Sequence, residues 1–521
     1  MKKMILLLAA AVSALLALPS AYAEQLSCHN IFQNNMCLQR RAPIKISGKA
    51  EPGKTVTVTI EGSQAKPATA KADASGAWEA KVEPLEAGGP YKVKVTDGAD
   101  TITFDNVLIG EVWICAGQSN MELPVSTGNT MIQIKNHQQE AAAANYPRIR
   151  LFEVPKTKAP GDEFDEIVGA GRNTGIWMEC SPQTVPNFSA AGYFFARQLQ
   201  KDLDIPVGLI MIAWGGVNIE TFIPDSEFSK HNRNEAKQIE DALFAGAANR
   251  TTGQVQNRQF SSEKFPGTMY GAMTHPWTRY TVGGVLFYQG ESNTGNTDYY
   301  DLHKMLIEGW REKFNDPKQP WVICQLAGFE QWTPMNRLPE DQWKGKPPMG
   351  AKVDGWALTR EIQDEMSYIY ENVSSVPLMD IGDQSDIHPR DKQTLGYRLA
   401  KLVEWKYFGG ELGVGPVYDH MDIKGDKCII HFKNVGKGLT TSDGEAPGAF
   451  AIAGADGKFV WADAKIVGDT VEVSSAQVKE PKTVRFAYTM YRGDVNLMNK
   501  DGFPAYPFRT DKVKNEYEKK K

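Results

Sequence analysis

The run EVWICAGQSNM, residues 111–121, joins two kinds of local signal. Past Glu111 its first half is continuously apolar, the pattern of a strand buried on both faces of a parallel sheet. Its second half is a turn, and Gly117 supplies the backbone freedom that a sharp turn needs. A serine in the turn after a parallel strand stands at the carboxyl edge of the sheet, where open α/β folds build their sites. Ser119 holds that position. Its hydroxyl is a weak nucleophile unless a base takes the proton, and backbone N–H groups freed by the turn can hold an oxyanion. The stretch is not the G-x-S-x-G elbow, because Met121 stands where that motif needs glycine. Alone, a serine in a glycine-containing loop is ordinary turn chemistry, so the case depends on its surroundings.

Outward from this run, similar apolar segments recur at LIGEVWIC (108–115), PVGLIMIA (206–213), GGVLFYQG (283–290), PWVICQLAG (320–328) and VPLMDIGD (376–383). Between them lie helical patterns at 189–203, 298–314, 358–373 and 389–408. Continuous apolar strands alternating with helices predict a parallel sheet covered on both faces, a three-layer α/β/α unit over 106–408. Residues 121–180 and 225–275 are polar and rich in Asn, Gln, Gly and Pro, and are expected to be long loops over the sheet edge. Residues 24–105 show short Thr/Val/Ile alternation punctuated by Gly, Pro and Asp, which predicts a small β-sandwich. Strand texture returns over 409–521, giving a second β-domain and a Lys-rich tail.

The first 23 residues read differently. Lys2 and Lys3 precede an apolar run, then Pro19 and the small-x-small triplet Ala21-Tyr22-Ala23. This is the pattern of a secretory signal peptide cleaved after Ala23, so the mature chain is expected outside the cytoplasm, periplasmic or secreted, without a membrane span. Across 521 residues the formal net charge is -5, with 41% hydrophobic and 23% charged residues. Those values describe a globular chain of several domains and argue against nucleic acid as a partner. Six cysteines fall in an oxidising compartment, with Cys28 and Cys37 the favoured disulfide pair. No cysteine pair has zinc-finger spacing and the eight histidines show no ligand spacing, so neither a metal nor a cofactor is expected.

Further segments could complete a site with Ser119. Asp386-Ile387-His388-Pro389 lies between a strand and a helix, and a carboxylate beside an imidazole fixes its tautomer and stabilises the imidazolium. Gln289-Gly290-Glu291-Ser292-Asn293 gathers amides and a carboxylate at another strand end. There Gln289 or Asn293 can donate to an oxyanion and Glu291 can orient a histidine. Trp214-Gly215-Gly216 ends a further strand with glycines that let backbone N–H groups approach a substrate. Individually each has a bland reading as a turn, a cap or a polar loop. Together they place nucleophile, base, orienting acid and oxyanion donors on tips of one parallel sheet.

At this point the sequence resembles the sialate O-acetylesterase family, a branch of the SGNH hydrolases related to acetylxylan esterases. The resemblance rests on NNMCLQR, GQSNMELPV, FSAAGYFFARQL, IPVGLIMIAWGG, GGVLFYQGESN, LTREIQDE, DIHPRDKQTLGYRLA and DGFPAYPFRTD. It implies a flavodoxin-like SGNH domain with flanking β-domains, and removal of O-acetyl groups from sugars, 9-O-acetylated sialic acids first and acetylated xylan or another plant glycan as the alternative. By position it implies Ser119 as nucleophile and His388 as base. That pair argues against the reading from another class, a non-catalytic carbohydrate-binding protein. The Ser119 N–H, a WGG glycine (Gly215 or Gly216) and Gln289 then form the oxyanion hole. The acid stays open between Asp386, which is favoured, and Glu291. The wider pattern has Asp three residues before the histidine, where this chain has Ser385. A second departure is Gly271-Ala272-Met273 where relatives usually carry Asn-Gly-Met. The bland alternative for Trp177, Phe188 and Trp277, packing beneath the loops, stands against stacking on sugar rings.

Overall fold

One strand, Thr101–Gly117, organises the molecule. Its first half pairs antiparallel with Gly88–Thr96, and its second half runs parallel between Val207–Ala213 and Gly284–Tyr288. The boundary expected at 105/106 therefore falls inside a continuous strand. The computed structural model describes residues 25–126, 132–159, 161–169, 174–231, 265–296, 298–331, 343–348 and 355–512. Residues 1–23, expected to be a signal peptide, and parts of 121–180 and 225–275 lie outside the described residues. The expectation of a long loop over 121–180 is corrected, because Tyr146–Glu153 and Trp177–Cys180 within it are strands of the central sheet.

Across the central sheet the order is Trp177–Cys180, Tyr146–Glu153, Val207–Ala213, Thr101–Gly117, Gly284–Tyr288, Trp321–Cys324 and Val373–Val376. All neighbours are parallel except the first pair. The chain runs outward in opposite directions on the two sides of Thr101–Gly117, so a switch point lies between that strand and Gly284–Tyr288. Open sheets bind ligands at such a point. The continuous apolar runs are explained by two-sided burial. Ile114, Ala116, Ile210 and Phe287 enter one core, while Trp113, Cys115, Leu209 and Tyr288 enter the other. The class is α/β with helices on both faces.

Ala190–Leu203 and Lys392–Tyr407 pack together on the second face. Ser189 caps the first by accepting the Gly192 N–H at 3.1 Å, and Asp391 caps the second by accepting the Thr394 N–H at 2.9 Å. Gly396 permits their close approach, since a Cβ there would lie 2.3 Å from Phe194 Cβ. The opposite face is covered by Tyr299–Lys313 and Gly355–Ile369 through Leu302, Met305, Trp310, Ile362 and Met366.

Before the central sheet, Ser27–Cys28, Ile44–Lys49 and Ala77–Val82 form an antiparallel sheet, and Thr55–Glu61 pairs with Ala68–Lys71 and Gly88–Thr96. After it, Val417–Lys424, Lys427–Lys433, Thr470–Ser474 and Asp463–Val467 form another. Pairing in that sheet sets His420 opposite His431 and brings Asp422 near, a grouping that spacing along the chain did not show. The expected Cys28–Cys37 disulfide is corrected: all six cysteines are free thiols. Cys28 pairs into the sheet of Ile44–Lys49, whereas Cys37 lies beside Thr101–Gly117. No helix among the described residues is long and apolar enough to cross a membrane.

Candidate active site

Ser119 opens a short helical turn, Ser119–Glu122, directly beyond the central strand. Gly117 makes the exit from the strand possible. Its φ is +146°, and a Cβ there would meet the Tyr288 carbonyl oxygen of the adjacent strand at 2.0 Å. Gln118 then donates its N–H to that same oxygen at 3.0 Å. Its side-chain oxygen accepts from the Ser292 N–H at 3.2 Å, tying the two strand tips together.

His388 arrives from the loop before Lys392–Tyr407. Its Nε2 lies 2.9 Å from Ser119 Oγ, and its Nδ1 lies 3.3 Å from Asp386 Oδ1. The same Asp386 oxygen accepts the His388 N–H at 2.9 Å, closing a tight local turn that holds the imidazole. Asp386 is 3% exposed and His388 9%, so the pair faces the serine from a nearly enclosed position. A serine hydroxyl, an imidazole and a carboxylate in sequence can move a proton and form an acyl-enzyme.

Glu291 sits deeper. Its Oε1 accepts from Asn120 Nδ2 at 2.6 Å, and burial pushes its carboxyl above the usual range against the pull of Asn120 and His388. Asn120 Nδ2 also reaches the Ile387 carbonyl at 3.0 Å, while its Oδ1 accepts from Lys392 Nζ at 2.7 Å.

The proposed oxyanion donors divide. Gly216 has φ +77°, and open space surrounds the position of a Cβ. Gly215 lies against Ser119, but its N–H is donated to Glu122 Oε2 at 2.6 Å, and Lys156 pairs with the other Glu122 oxygen. Gln289 is wholly buried and donates from Nε2 to Asn293 Oδ1 at 2.7 Å and to the Val217 carbonyl at 3.3 Å. Asn293 donates to Glu220 Oε2 at 2.9 Å and accepts the Ile219 N–H at 2.9 Å. Both amides thus fasten segment 217–220 to the strand end, and Gln289 gives both its amide hydrogens to protein acceptors, which corrects the reading of Gln289 and Asn293 as oxyanion donors. Their polar groups are satisfied within the protein.

Beside Glu122, Glu153 is pushed up to about 7, first by burial and then by the Glu122 charge. Trp177, Phe188 and Trp277 are at most 3% exposed. Trp177 and Trp277 pack with Phe152 and Tyr280, so these rings are core. Gly271 is close-packed, because a Cβ there would lie 1.9 Å from the Asp162 carbonyl oxygen. The sequence by itself assigns no role to Gln118, Asn120, Glu122 or Lys392. All but Glu122 are buried polar residues, and three of the four lie within GQSNME.

The family described as carbohydrate esterase, sialic acid-specific acetylesterase matches residues 109–402. Sialate O-acetylesterase of Pongo abelii is 31% identical over 388 residues, covering 70% of this chain and 68% of the relative. The Homo sapiens protein of the same name is 30% identical over 388 residues with the same coverage. A solved carbohydrate acetylesterase from Xanthomonas citri superposes with a TM-score of 0.78 at 30% identity, covering 94% of this chain and 100% of that one.

Proposed function

This chain belongs to the carbohydrate-esterase family of sialic acid-specific acetylesterases, and from that premise we propose that Ser119, His388 and Asp386 form its catalytic triad. The chain is a carboxylic ester hydrolase that removes O-acetyl groups from sugars. The single observation that carries the site assignment is the 2.9 Å approach of His388 Nε2 to Ser119 Oγ.

In this reading His388 takes the Ser119 proton as Oγ attacks the acetyl carbonyl. The Ser119 and Gly216 N–H groups hold the developing oxyanion, and Gly215 joins them when Glu122 releases its N–H. His388 then protonates the departing sugar oxygen, and water hydrolyses the acetyl-enzyme by the same route in reverse roles. Asp386 keeps the imidazole in the tautomer that presents a bare Nε2 to the hydroxyl. Glu291 supports the site from behind through Asn120.

For the substrate we favour 9-O-acetylated sialic acid; the names of the two mammalian relatives support an O-acetylated sialic acid without fixing the position. The strand order supports a flavodoxin-like sheet, and the short antiparallel sheets at either end are read as flanking β-sandwich domains. Residues 1–23 are read as an export leader on the strength of their apolar run and the Ala21-Tyr22-Ala23 triplet.

Ser119→Ala is expected to lower acetate release at least about 1000-fold while leaving the circular dichroism spectrum and Tm unchanged. Undiminished turnover would remove Ser119 from the mechanism. The same assay run side by side on 9-O-acetylated sialic acid and acetylated xylan tests the sugar, and a preference for xylan would overturn that part of the proposal.

A further inference from the structure

Behind the Ser119–His388 pair lies a fully buried lysine. Lys392 begins its helix four residues after His388 and is 0% exposed. Its Nζ donates to Asn120 Oδ1 at 2.7 Å and stands 5.1 Å from the centre of the Tyr288 ring. Asn120 passes the polarity on by donating to Glu291 Oε1 at 2.6 Å and to the Ile387 carbonyl at 3.0 Å. The bridge therefore touches the residue after the nucleophile and the residue before the base.

Orienting Asn120 would need only a hydrogen-bond donor, and a neutral side chain supplies one without the cost of burying an ion. The ammonium adds charge. Two carboxylates, Glu291 and Asp386, are buried here, and each keeps one oxygen, Glu291 Oε2 and Asp386 Oδ2, without a hydrogen-bond partner among the described residues. With Glu291 and Asp386 both ionised, Lys392 leaves this group one net negative charge instead of two. Tyr288 and Cys324 also face the cluster, but burial pushes both far above their ordinary range, so they stay neutral. Asp391 adds a more distant negative charge; burial pushes it up, but Lys135, paired with it, and the Thr394 N–H hold it below the usual carboxylate range. Burial pushes the Lys392 ammonium down to about 8, with Glu291 foremost among the charges holding it up, so it is cationic below that pH.

Resting on the serine-esterase reading above, we propose that Lys392 is a positioning residue that sets the working pH of His388 by cancelling one of the two buried carboxylates. With both carboxylates uncompensated, the imidazole would hold its proton to higher pH and be useless as a base there. With both cancelled, the imidazolium formed during acyl transfer would lose its stabilising charge.

The test is the pH profile of kcat/KM on a chromogenic acetate ester for Lys392→Met, Glu291→Gln and the double variant. Lys392→Met moves the acid limb up by about one pH unit. Glu291→Gln, nearly isosteric and able to accept from Asn120, moves it down, and the double variant returns it toward the wild-type position. A structural role alone would lower the plateau and leave the limb in place, and an unmoved limb in Glu291→Gln overturns the proposal even if Lys392→Met does not fold. Phosphonate labelling of Ser119 in each variant separates the two readings, because an unlabelled wild-type protein would instead sink the serine-esterase assignment.

Discussion

Two buried ionic groups lie along the same strand and are built differently. Where Thr101–Gly117 enters the parallel sheet, Glu111 is clamped at both oxygens, by Arg40 Nε at 2.7 Å and Gln39 Nε2 at 3.2 Å. Gln39 in turn accepts the Val112 N–H at 2.7 Å, and Arg40 lies over the Phe408 ring. Where the strand leaves the sheet, Glu291 and Asp386 each retain an unpartnered oxygen among the described residues. A fully paired network serves as scaffold. Unspent acceptors stand where charge changes during a reaction, and local rules of satisfaction are broken at sites that do chemistry.

The contrast can be broken first at its reactive end. Asp386→Asn is expected to cut kcat roughly 10,000-fold, because the amide favours the wrong imidazole tautomer. Thermal unfolding should be little affected, and a large fall in Tm with kcat preserved would make Asp386 scaffold. Arg40→Met asks the reverse question. It leaves Glu111 buried and short of its main partner, which is expected to cost about 3–5 kcal/mol of stability in urea unfolding. Burial already pushes Glu111 above the usual carboxylate range, with Arg40 the chief counterweight. Activity per folded molecule should remain near wild type, whereas a collapse of kcat would tie this end of the strand to catalysis.

The smallest effect sharpens the rule with a buried group that belongs to neither network. His303 is wholly buried among Phe287 and Tyr299, and neither ring nitrogen has a hydrogen-bond partner among the described residues. Burial pushes it down to about 3, below its ordinary 6.5. Between those values the unfolded chain binds the proton and the folded chain does not. Stability from this group is thus complete above pH 6.5 and falls by about 1.4 kcal/mol per pH unit as pH drops toward 3. His303→Leu should flatten that acid slope in chemical unfolding between pH 6.5 and 4.5, and an unchanged slope would assign it to other groups.

Much of the sheet and part of the site were legible in short stretches. The run at 111–121 carries both its strand and its turn, and Asp386 is two residues from His388, so their hydrogen bonds are local. Where partners come from afar, the reading failed or stayed silent. Cys28 and Cys37 are close in the chain, yet strand pairing sends them to different sheets. Asn293 sits in a polar turn of the kind that supplies oxyanion donors, but its amide is consumed by segment 217–220. Trp177, at the start of its strand, and Trp277, a hundred residues on, meet in the core instead of a sugar pocket.

By itself the sequence determined the central parallel strands, the turns that end them and the side chains offered at each tip, because apolar runs and glycine turns act within a few residues. It missed the outer strands Tyr146–Glu153 and Trp177–Cys180. The tertiary structure decided which tips meet. His388 reaches Ser119 across 269 residues, and Lys392 reaches Asn120 across 272. Such contacts follow from the order in which parallel strands pack and the close crossing of two helices, and long-range packing leaves no periodic mark in the chain.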